Sequence, residues 1–423
     1  MISDPKPAKT KTVALVDPLW IGHHPMYFSQ FSAAFLRLGA CVIGLCPNPA
    51  EALAGARAAA EACSVEDVDR KLSTHHLQGG KRSWFGGRFE GDPVRTYQRW
   101  KRCADTLFDA EQQIGRRADL VFFPYLDSYL RFLPLSSIPR MTIDRPWSGL
   151  YLRNHHYAEN PSPKKALRLL AKGDALIRSP LCRGIGVLDE RFVAPMERYI
   201  GKPVHGFPDV TDSTLPGQPY VLAQEILRKA AGRKVIGLIG MERRKGLLNL
   251  LRVAEKAREL RYPWYFACAG RFERPEYSAE ELALVDAILA RIQSGEIDNV
   301  HLDLKAGRIP EESDFNSIFR TFDVAWAAYE SFEGSSGALG KAASFDIPCL
   351  ATTGECIGHR IEGYRTGLTI PEGDSTRALE AIRRMLDGKD WQDQALNPDY
   401  PRYREDHSGA RLERLLGSFL DSV

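Results

Sequence analysis

The stretch YESFEGSSGALGKAASFDIPCLATT, from Tyr329 to Thr353, carries the clearest signal for the fold of this chain. It follows a short apolar run and opens with a loop of small residues, EGSSG. A run of small and apolar residues over 338–345 predicts a helix, and Asp346-Ile347-Pro348 ends it before a second apolar run. This order predicts a βαβ unit. Because glycine lets a ligand approach the backbone and the first N–H groups of a helix favour anions, the loop is typical of a phosphate site.

The same pattern occurs upstream, where KVIGLIG predicts a strand that ends in glycine. The turn MERRKG follows, and an amphipathic helix starts at Leu247. Cations at the amino terminus of a helix are unfavourable unless an anion binds there. We therefore predict that Lys245, together with Arg244 or Arg243, binds a diphosphate. The alternative is a solvent-exposed run of charges.

These motifs resemble the nucleotide-sugar site of GT-B glycosyltransferases, especially the large retaining family called GT4. That family carries two glutamates eight residues apart, which contact the donor sugar and the nucleotide ribose. Glu333 matches the first, and Lys341 stands at the second, where a lysine can only donate hydrogen bonds. Besides Glu333 as a catalytic residue, the resemblance implies the donor-binding residues Arg244, Lys245, Arg271, Gly334, Ser335, Ser336, Gly337 and Lys341.

Two departures from the family keep other functions open. Met241 replaces the arginine that follows the glycine in the family, and Lys341 replaces the second glutamate. Both favour a catalytically silent nucleotide-sugar-binding protein on the same fold. A sugar-nucleotide epimerase with the GT-B fold is a second alternative.

The first half of the chain opens with a βαβ pattern over residues 13–46. The loop after its first strand contains Gly22, His23, His24 and Pro25. Open parallel sheets bind ligands at the carboxyl ends of their strands. In inverting plant-type relatives a similar stretch supplies a catalytic base, so the resemblance implies a base or an acceptor-binding residue at His23 or His24, with Gly22 also binding sugar or acceptor. Such a base allows inversion, whereas the second half of the chain implies retention. The alternative is a histidine that caps or packs the loop.

Further predictions concern the middle of the first half. Apolar runs predict strands over 140–144 and 175–177, and the Gly-rich segment from His75 to Pro93 predicts a loop. Arg145 and His155 follow the first of these runs. The resemblance implies that they bind sugar or acceptor, and solvent-exposed loop positions are the alternative.

Length and composition set the broad class of protein. A chain of 423 residues predicts two domains, and its net charge of +3 gives no argument for nucleic acid. The eight cysteines form no CxxC pair, which favours reduced thiols in the cytoplasm. The predicted domains are a flexible tail over 1–12, an acceptor domain over 13–205, a linker over 206–218, a nucleotide-sugar domain over 219–395 and a C-terminal helix that returns to the first domain over 396–423.

The sequence as a whole predicts a GT-B α/β fold, in which two Rossmann-like domains face each other across a cleft. The expected enzyme is a hexosyltransferase-type glycosyltransferase with a UDP- or GDP-linked donor, no metal and no other cofactor. Family habit implies a glycan or lipid-linked acceptor in polysaccharide biosynthesis. The basic segment 162–172 leaves two interpretations open, a packing helix or contact of a peripheral enzyme with the anionic inner face of the cell membrane.

Overall fold

The computed structural model describes residues 10–21, 24–78, 93–130, 137–152, 174–305, 307–387 and 397–423. The chain divides into two units. The first unit contains residues 1–208 and 409–423, and the second unit contains residues 209–408. Each unit is built around one parallel β-sheet, which confirms the predicted α/β class.

The first unit has a seven-stranded parallel sheet in the order β3-β2-β1-β4-β5-β6-β7. Its strands are β1 (Thr12–Val16), β2 (Cys41–Cys46), β3 (Leu72–His76), β4 (Leu120–Phe123), β5 (Trp147–Tyr151), β6 (Ile185–Val187) and β7 (Val204–Gly206). Its helices are α1 (His24–Arg37), α2 (Pro49–Glu61), α3 (Val68–Lys71), α4 (Pro93–Ile114), α5 (Asp127–Leu130), α6 (Ile138–Thr142), α7 (Asp174–Ile177), α8 (Val193–Ile200) and α17 (Gly409–Asp421).

Apolar burial explains why β1 and α1 form where they do. Every residue of β1 is buried, as expected for a strand covered on both faces. The helix α1 places Phe28, Phe31 and Phe35 one turn apart on its buried face. Full burial of such side chains contributes roughly 1.5–3 kcal/mol each. Because α1 follows β1, an interior strand of the sheet, the start of α1 lies at the carboxyl edge of the sheet.

The second unit has a six-stranded parallel sheet in the order β10-β9-β8-β11-β12-β13. Its strands are β8 (Lys234–Met241), β9 (Trp264–Phe272), β10 (Val300–Leu302), β11 (Val324–Ala327), β12 (Cys349–Thr352) and β13 (Gly367–Ile370). Its helices are α9 (Val221–Ala230), α10 (Leu247–Glu259), α11 (Ala279–Gln293), α12 (Glu312–Phe319), α13 (Gly337–Ser344), α14 (Glu355–Tyr364), α15 (Ser375–Asp387) and α16 (Tyr400–Asp406).

Three local predictions for the first unit are wrong. Residues 138–142 form α6, and the strand starts only at Trp147. Pro139 lies in the first turn of α6, a position that proline favours. Position 149 in this strand requires glycine, because a Cβ there would lie only 2.6 Å from the carbonyl oxygen of Phe123 on β4. Residues 174–177 form α7, and His75 lies on β3.

Candidate functional site

The chain order of the second sheet reverses at β8. This strand lies between β9, which follows it in sequence, and β11. Open parallel sheets bind ligands outside the carboxyl ends of their strands at such a reversal. Two loops meet this description, residues 242–246 after β8 and residues 328–336 after β11. They carry most of the donor-binding residues predicted from the sequence.

These two loops are joined to each other by hydrogen bonds. The N–H of Glu330 donates to the carbonyl oxygen of Arg244 at 2.7 Å. The indole N–H of Trp326 on β11 donates to the carbonyl oxygen of Lys245 at 3.2 Å. Gly246 lies against the carbonyl oxygen of Ala328, and its φ of +76° is readily accessible to glycine. The structure therefore brings these two loops together at one edge of the sheet. Residues 242–246 are called the lysine loop below, and residues 328–336 are called the glycine loop.

The ammonium group of Lys245 lies at the carboxyl end of β8. It donates to the carbonyl oxygen of Ile239 at 3.0 Å and pairs with Glu242 at 2.9 Å. The side chain folds over Gly240, where a Cβ would overlap the Lys245 Nζ atom. This cation is partly buried, with 18% of its side chain exposed. Glu242, with 27% of its side chain exposed, is thus the anion that pairs with Lys245 in this structure.

The two arginines of the loop face different surroundings. Arg243 pairs with Glu281 at 2.9 Å and with Glu330 at 3.5 Å, at a pocket of about 390 Å³. Burial raises the pKa of Glu330, although Arg243 opposes the shift. Arg244 is exposed, and its guanidinium lies 4.8 Å from the ring centroid of Phe332. Both arginines therefore contact the loop of residues 328–336, Arg243 through Glu330 and Arg244 through Phe332, which is next to Glu333.

The glycine loop ends at the amino terminus of α13. A Cβ on Gly334 would be 3.1 Å from the ring of Phe332, so Arg244 and this glycine pack on the same ring. Ser336 caps the helix, since its hydroxyl oxygen accepts from the N–H of Ala338 at 3.2 Å. Glu333 and Gly337 are exposed and Ser335 is partly exposed. The loop therefore presents backbone amides and one carboxylate at the rim.

Lys341, at the position of the second family glutamate, is turned into the second unit. It is 3% exposed, hydrogen-bonds the carbonyl oxygen of Asp212, and pairs with Glu312 of α12. Its ammonium group also lies 5.9 Å from the ring centroid of Phe315. These partners occupy the N–H donors of Lys341, which the sequence predicts to bind a ribose or a phosphate.

Arg271 is the second-last residue of β9 and is largely exposed, with 68% of its side chain accessible. It pairs with Glu273 at 2.9 Å. Gly270, just before it, packs its backbone against Gly240 of β8. Arg271 thus lies at the same carboxyl edge as Lys245, at the end of the neighbouring strand β9.

The first unit has a second polar group at its own carboxyl edge. Asp17 follows β1 and is fully buried, and His24 is the first residue of α1. The Nδ1 atom of His24 lies 2.9 and 2.8 Å from the two carboxylate oxygens of Asp17. Tyr125, just after β4, stacks on the imidazole with 3.6 Å between ring centroids. Sequence reasoning missed both Asp17, which directly follows β1, and Tyr125, which lies two residues after β4; their positions at the ends of buried strands were the signal.

Burial raises the pKa of Asp17 above its ordinary value of 3.8, although His24 and the N–H of Leu19 oppose the shift. The carboxylate therefore ionises at lower pH in the unfolded chain than in the folded one. The contribution of Asp17 to the free energy of unfolding is therefore fully present below the pKa that this carboxyl has in the unfolded chain. It is lost as the pH rises through the pKa of the carboxyl in the folded chain. We expect Asp17→Asn, which cannot ionise, to gain stability relative to the wild type between about pH 4 and pH 7. This expectation would be contradicted if the difference in urea midpoint between Asp17→Asn and the wild type were the same at pH 4 and at pH 7.

The remaining predicted residues do not join these groups. Arg145 precedes β5, at the amino edge of the sheet, and pairs at 2.8 Å with Glu111 of α4. Glu111 also accepts from the N–H of Ala118, so the pair ties α4 to the loop before β4. The structure does not bring Arg145 together with His24. The predicted residues Gly22, His23 and His155, and the basic segment 162–172, lie outside the described residues.

Comparisons with known proteins agree with this geometry. Residues 233–388, which contain both loops, match the family model described as Glycosyl transferases group 1. No curated protein matches the chain. Among the described residues, no helix combines the length and the apolar character that crossing a bilayer requires.

Solved structures resemble the chain over nearly its whole length. Sucrose-phosphate synthase from Thermosynechococcus elongatus has a TM-score of 0.63 and 15% identity, covering 97% of this chain and 98% of that one. HepE from Anabaena in complex with UDP has a TM-score of 0.65 and 12% identity, covering 98% and 100%. Trehalose 6-phosphate synthase from Burkholderia multivorans has a TM-score of 0.65 and 13% identity, covering 98% of each chain. The chain therefore has the GT-B fold, and residues 233–388 of its second unit match the glycosyl transferases group 1 family.

Proposed function

We propose that the chain transfers a sugar from a nucleoside diphosphate sugar, held at the carboxyl edge of the second sheet, to a hydroxyl group of a sugar-containing acceptor. The observation that carries this proposal is the hydrogen-bonded junction of the two loops, which brings Lys245 and Arg244 to the loop of Glu333. A diphosphate carries charge that two cations and a helix amino terminus can stabilise as it leaves. A UDP-linked sugar is the first donor to test, because HepE was solved with UDP and with UDP-glucose.

Each group in this proposal has a separate role. Lys245 exchanges Glu242 for a phosphate oxygen, Arg244 approaches the diphosphate from the Phe332 ring, and amides of 334–337 complete the anion site. Glu333 accepts hydrogen bonds from sugar hydroxyls. Arg271 lies further along the edge, towards the nucleoside. Lys341 acts indirectly, since its partners Asp212 and Glu312 hold it inside the unit.

Finer aspects of the proposal rest on the family alone. From the family resemblance we propose retention of the anomeric configuration and a metal-independent reaction on a polysaccharide or lipid-linked acceptor. NMR of the product anomer tests retention, and activity after dialysis against a chelator tests metal independence. For contact with the membrane, flotation with anionic liposomes at low salt is the test, and absence of binding would count against it.

A panel of nucleotide sugars separates the proposed transferase from the alternatives. Slow release of UDP or GDP from a donor, increased by an acceptor, supports a transferase. Binding without turnover would indicate a silent binding protein, a possibility that Met241 and Lys341 raise. Interconversion of the free sugar nucleotide would indicate an epimerase.

Replacing Lys245 tests the diphosphate site directly. We expect Lys245→Ala to weaken UDP binding by about 1–3 kcal/mol, which is roughly 5- to 150-fold, because a charged hydrogen bond to phosphate is lost. Uridine, which has no phosphate, should lose little affinity. Titration calorimetry with both ligands measures the difference.

Lys229→Ala is the matched control for this experiment. Lys229 pairs with Glu225 on the surface of α9, in the same unit but away from both loops. This variant should bind UDP as the wild type does. Equal losses for UDP and uridine in Lys245→Ala would remove Lys245 from the phosphate site.

A further inference from the structure

Glu372, in the turn after β13, is hydrogen-bonded to the glycine loop. Its Oε2 atom accepts from the N–H of Ser331 at 2.8 Å, and its Oε1 atom accepts from the Ser331 hydroxyl group at 3.5 Å. The two residues lie 41 positions apart in the chain. One carboxylate therefore ties the loop after β11 to the turn after β13, at the carboxyl edge of the second sheet.

Ser331 has a backbone conformation that its surroundings must maintain. Its φ of +49° lies in the left-handed region, which residues other than glycine adopt rarely. Such residues cluster at ligand clamps, where neighbouring groups hold them in place. The bond to Glu372 fixes the orientation of the peptide group between Glu330 and Ser331, two residues before Glu333.

The ends of the same loop are anchored in the core. The carbonyl oxygen of Tyr329 accepts from the Thr352 hydroxyl group on β12 at 2.5 Å. The hydroxyl group of Ser336, which caps α13, donates to the phenolic oxygen of Tyr329 at 3.0 Å. Both Tyr329 and Ser336 are buried. Between these anchors, the bond to Glu372 sets the course of the chain towards Glu333.

Glu372 keeps this position despite a repulsive neighbour. Burial is the main cause of the raised pKa of Glu330, and the negative charge of Glu372 adds to it, although Arg243 opposes the shift. Glu372 is exposed, so water could solvate its carboxylate away from Glu330. The contact with Ser331 therefore offsets a like-charge repulsion, as expected for a residue whose role is to hold the loop.

We infer that Glu372 is a positioning residue for Glu333, because it holds Ser331 in the conformation that directs the Glu333 carboxylate towards the donor sugar. The inference rests on the proposed function, in which Glu333 accepts hydrogen bonds from sugar hydroxyls. Glu372 therefore acts on the sugar end of the donor. In the proposed site the diphosphate end is held by Lys245 and by amides at the start of α13, which Ser336 caps independently of Glu372.

The contact itself is measured first, without any substrate. Hydrogen exchange, followed by mass spectrometry of peptides that cover residues 329–335, reports whether the Ser331 N–H is bonded. We expect this exchange to be about tenfold faster in Glu372→Ala than in the wild type, since the acceptor of the N–H is lost. Glu372→Gln keeps a side-chain oxygen that can accept, so its exchange should stay close to that of the wild type. Equal exchange in all three proteins would overturn the inference.

The second measurement separates the sugar from the diphosphate. In Glu372→Ala we expect kcat to fall about tenfold with the nucleotide sugar that turns over fastest in the panel, because a displaced Glu333 no longer meets the sugar hydroxyls. The Kd for the matching nucleoside diphosphate, UDP or GDP, should stay within about twofold of the wild type. Glu372→Gln should restore most of kcat. An unchanged kcat in Glu372→Ala, an equal loss for the nucleoside diphosphate, or a glutamine variant as impaired as the alanine variant would overturn the inference.

Asp323→Ala is the matched control. Asp323 precedes β11 and accepts from the N–H of Val235 at 2.8 Å, at the amino edge of the same sheet. This variant loses a bond of the same length and should keep the wild-type kcat and the wild-type exchange over residues 329–335. A wild type that turns over no nucleotide sugar would remove the proposed function, whereas the exchange comparison decides separately whether Glu372 holds the loop.

Discussion

Lys341→Glu should destabilise the second unit by about 3–5 kcal/mol, which lowers its melting temperature by roughly 10 °C. The lysine is 3% exposed and its ammonium group lies between the carboxylate of Glu312 and the carbonyl oxygen of Asp212. A glutamate at this position places a second negative charge against both oxygens, in a site with little water. Scanning calorimetry measures the shift.

Lys341→Met is the control that separates charge from shape. Methionine has a similar length and no charge, and Glu312 is half exposed, so water can solvate it after the lysine is gone. We expect this variant to lose about 1–2 kcal/mol, since the hydrogen bond to Asp212 is also removed. Equal melting temperatures for the two variants would contradict the inward pairing of Lys341.

The pairing of Lys341 with Glu312 also affects what we expect for nucleotide binding. The family resemblance raises the idea that a glutamate at 341 restores a lost ribose contact. The structure gives a physical reason to expect otherwise, because the α13 side chain at this position faces α12 and residue 212. We therefore expect Lys341→Glu to leave UDP affinity unimproved in the folded protein.

Gly246→Ala is the second substitution with a large expected effect. The residue has φ of +76°, and a Cβ there would lie 2.5 Å from the carbonyl oxygen of Ala328 and 3.2 Å from the indole nitrogen of Trp326. The backbone strain costs about 1–2 kcal/mol and the overlap about 1–3 kcal/mol more. Because the overlap forces the two loops apart, UDP binding should weaken beyond what the loss of stability explains.

Gly295→Ala is the matched control for this position. Gly295 has φ of +79° in the same unit, and nothing lies within 4 Å of the position of its Cβ. It should show the backbone strain alone, with UDP affinity as in the wild type. If the two variants proved equally stable and bound UDP equally, the contact between residue 246 and Ala328 would not hold the loops together.

Local sequence patterns predict the strands, and the loops that follow them, where a strand is covered on both faces. The strands β1, β8 and β11 are continuous apolar runs covered on both faces, so their patterns predict them. The pattern fails at β5, where Trp147-Ser148-Gly149 resembles a loop. Gly149 is required by its approach to Phe123, a contact between residues 26 positions apart that no local pattern contains.

The candidate site likewise has parts that the sequence predicts and parts that it does not. The lysine loop and the glycine loop could be predicted because each follows a strand and precedes a helix. The partners of Lys341 could not, since Asp212 lies 129 residues away in sequence. Arg145 was assigned to a ligand because the strand was placed before it, whereas the strand starts after it. Asp17 and His24 are seven residues apart, and an acidic residue that ends a buried strand just before a histidine loop could have predicted their contact.

A crystal structure of the chain soaked with UDP would show whether the second unit holds a diphosphate between its lysine loop and its glycine loop. We expect phosphate oxygens within hydrogen-bond distance of Lys245 Nζ and of backbone amides in residues 334–337, with Glu242 displaced from the lysine. UDP bound elsewhere, with Lys245 still paired to Glu242, would contradict this expectation.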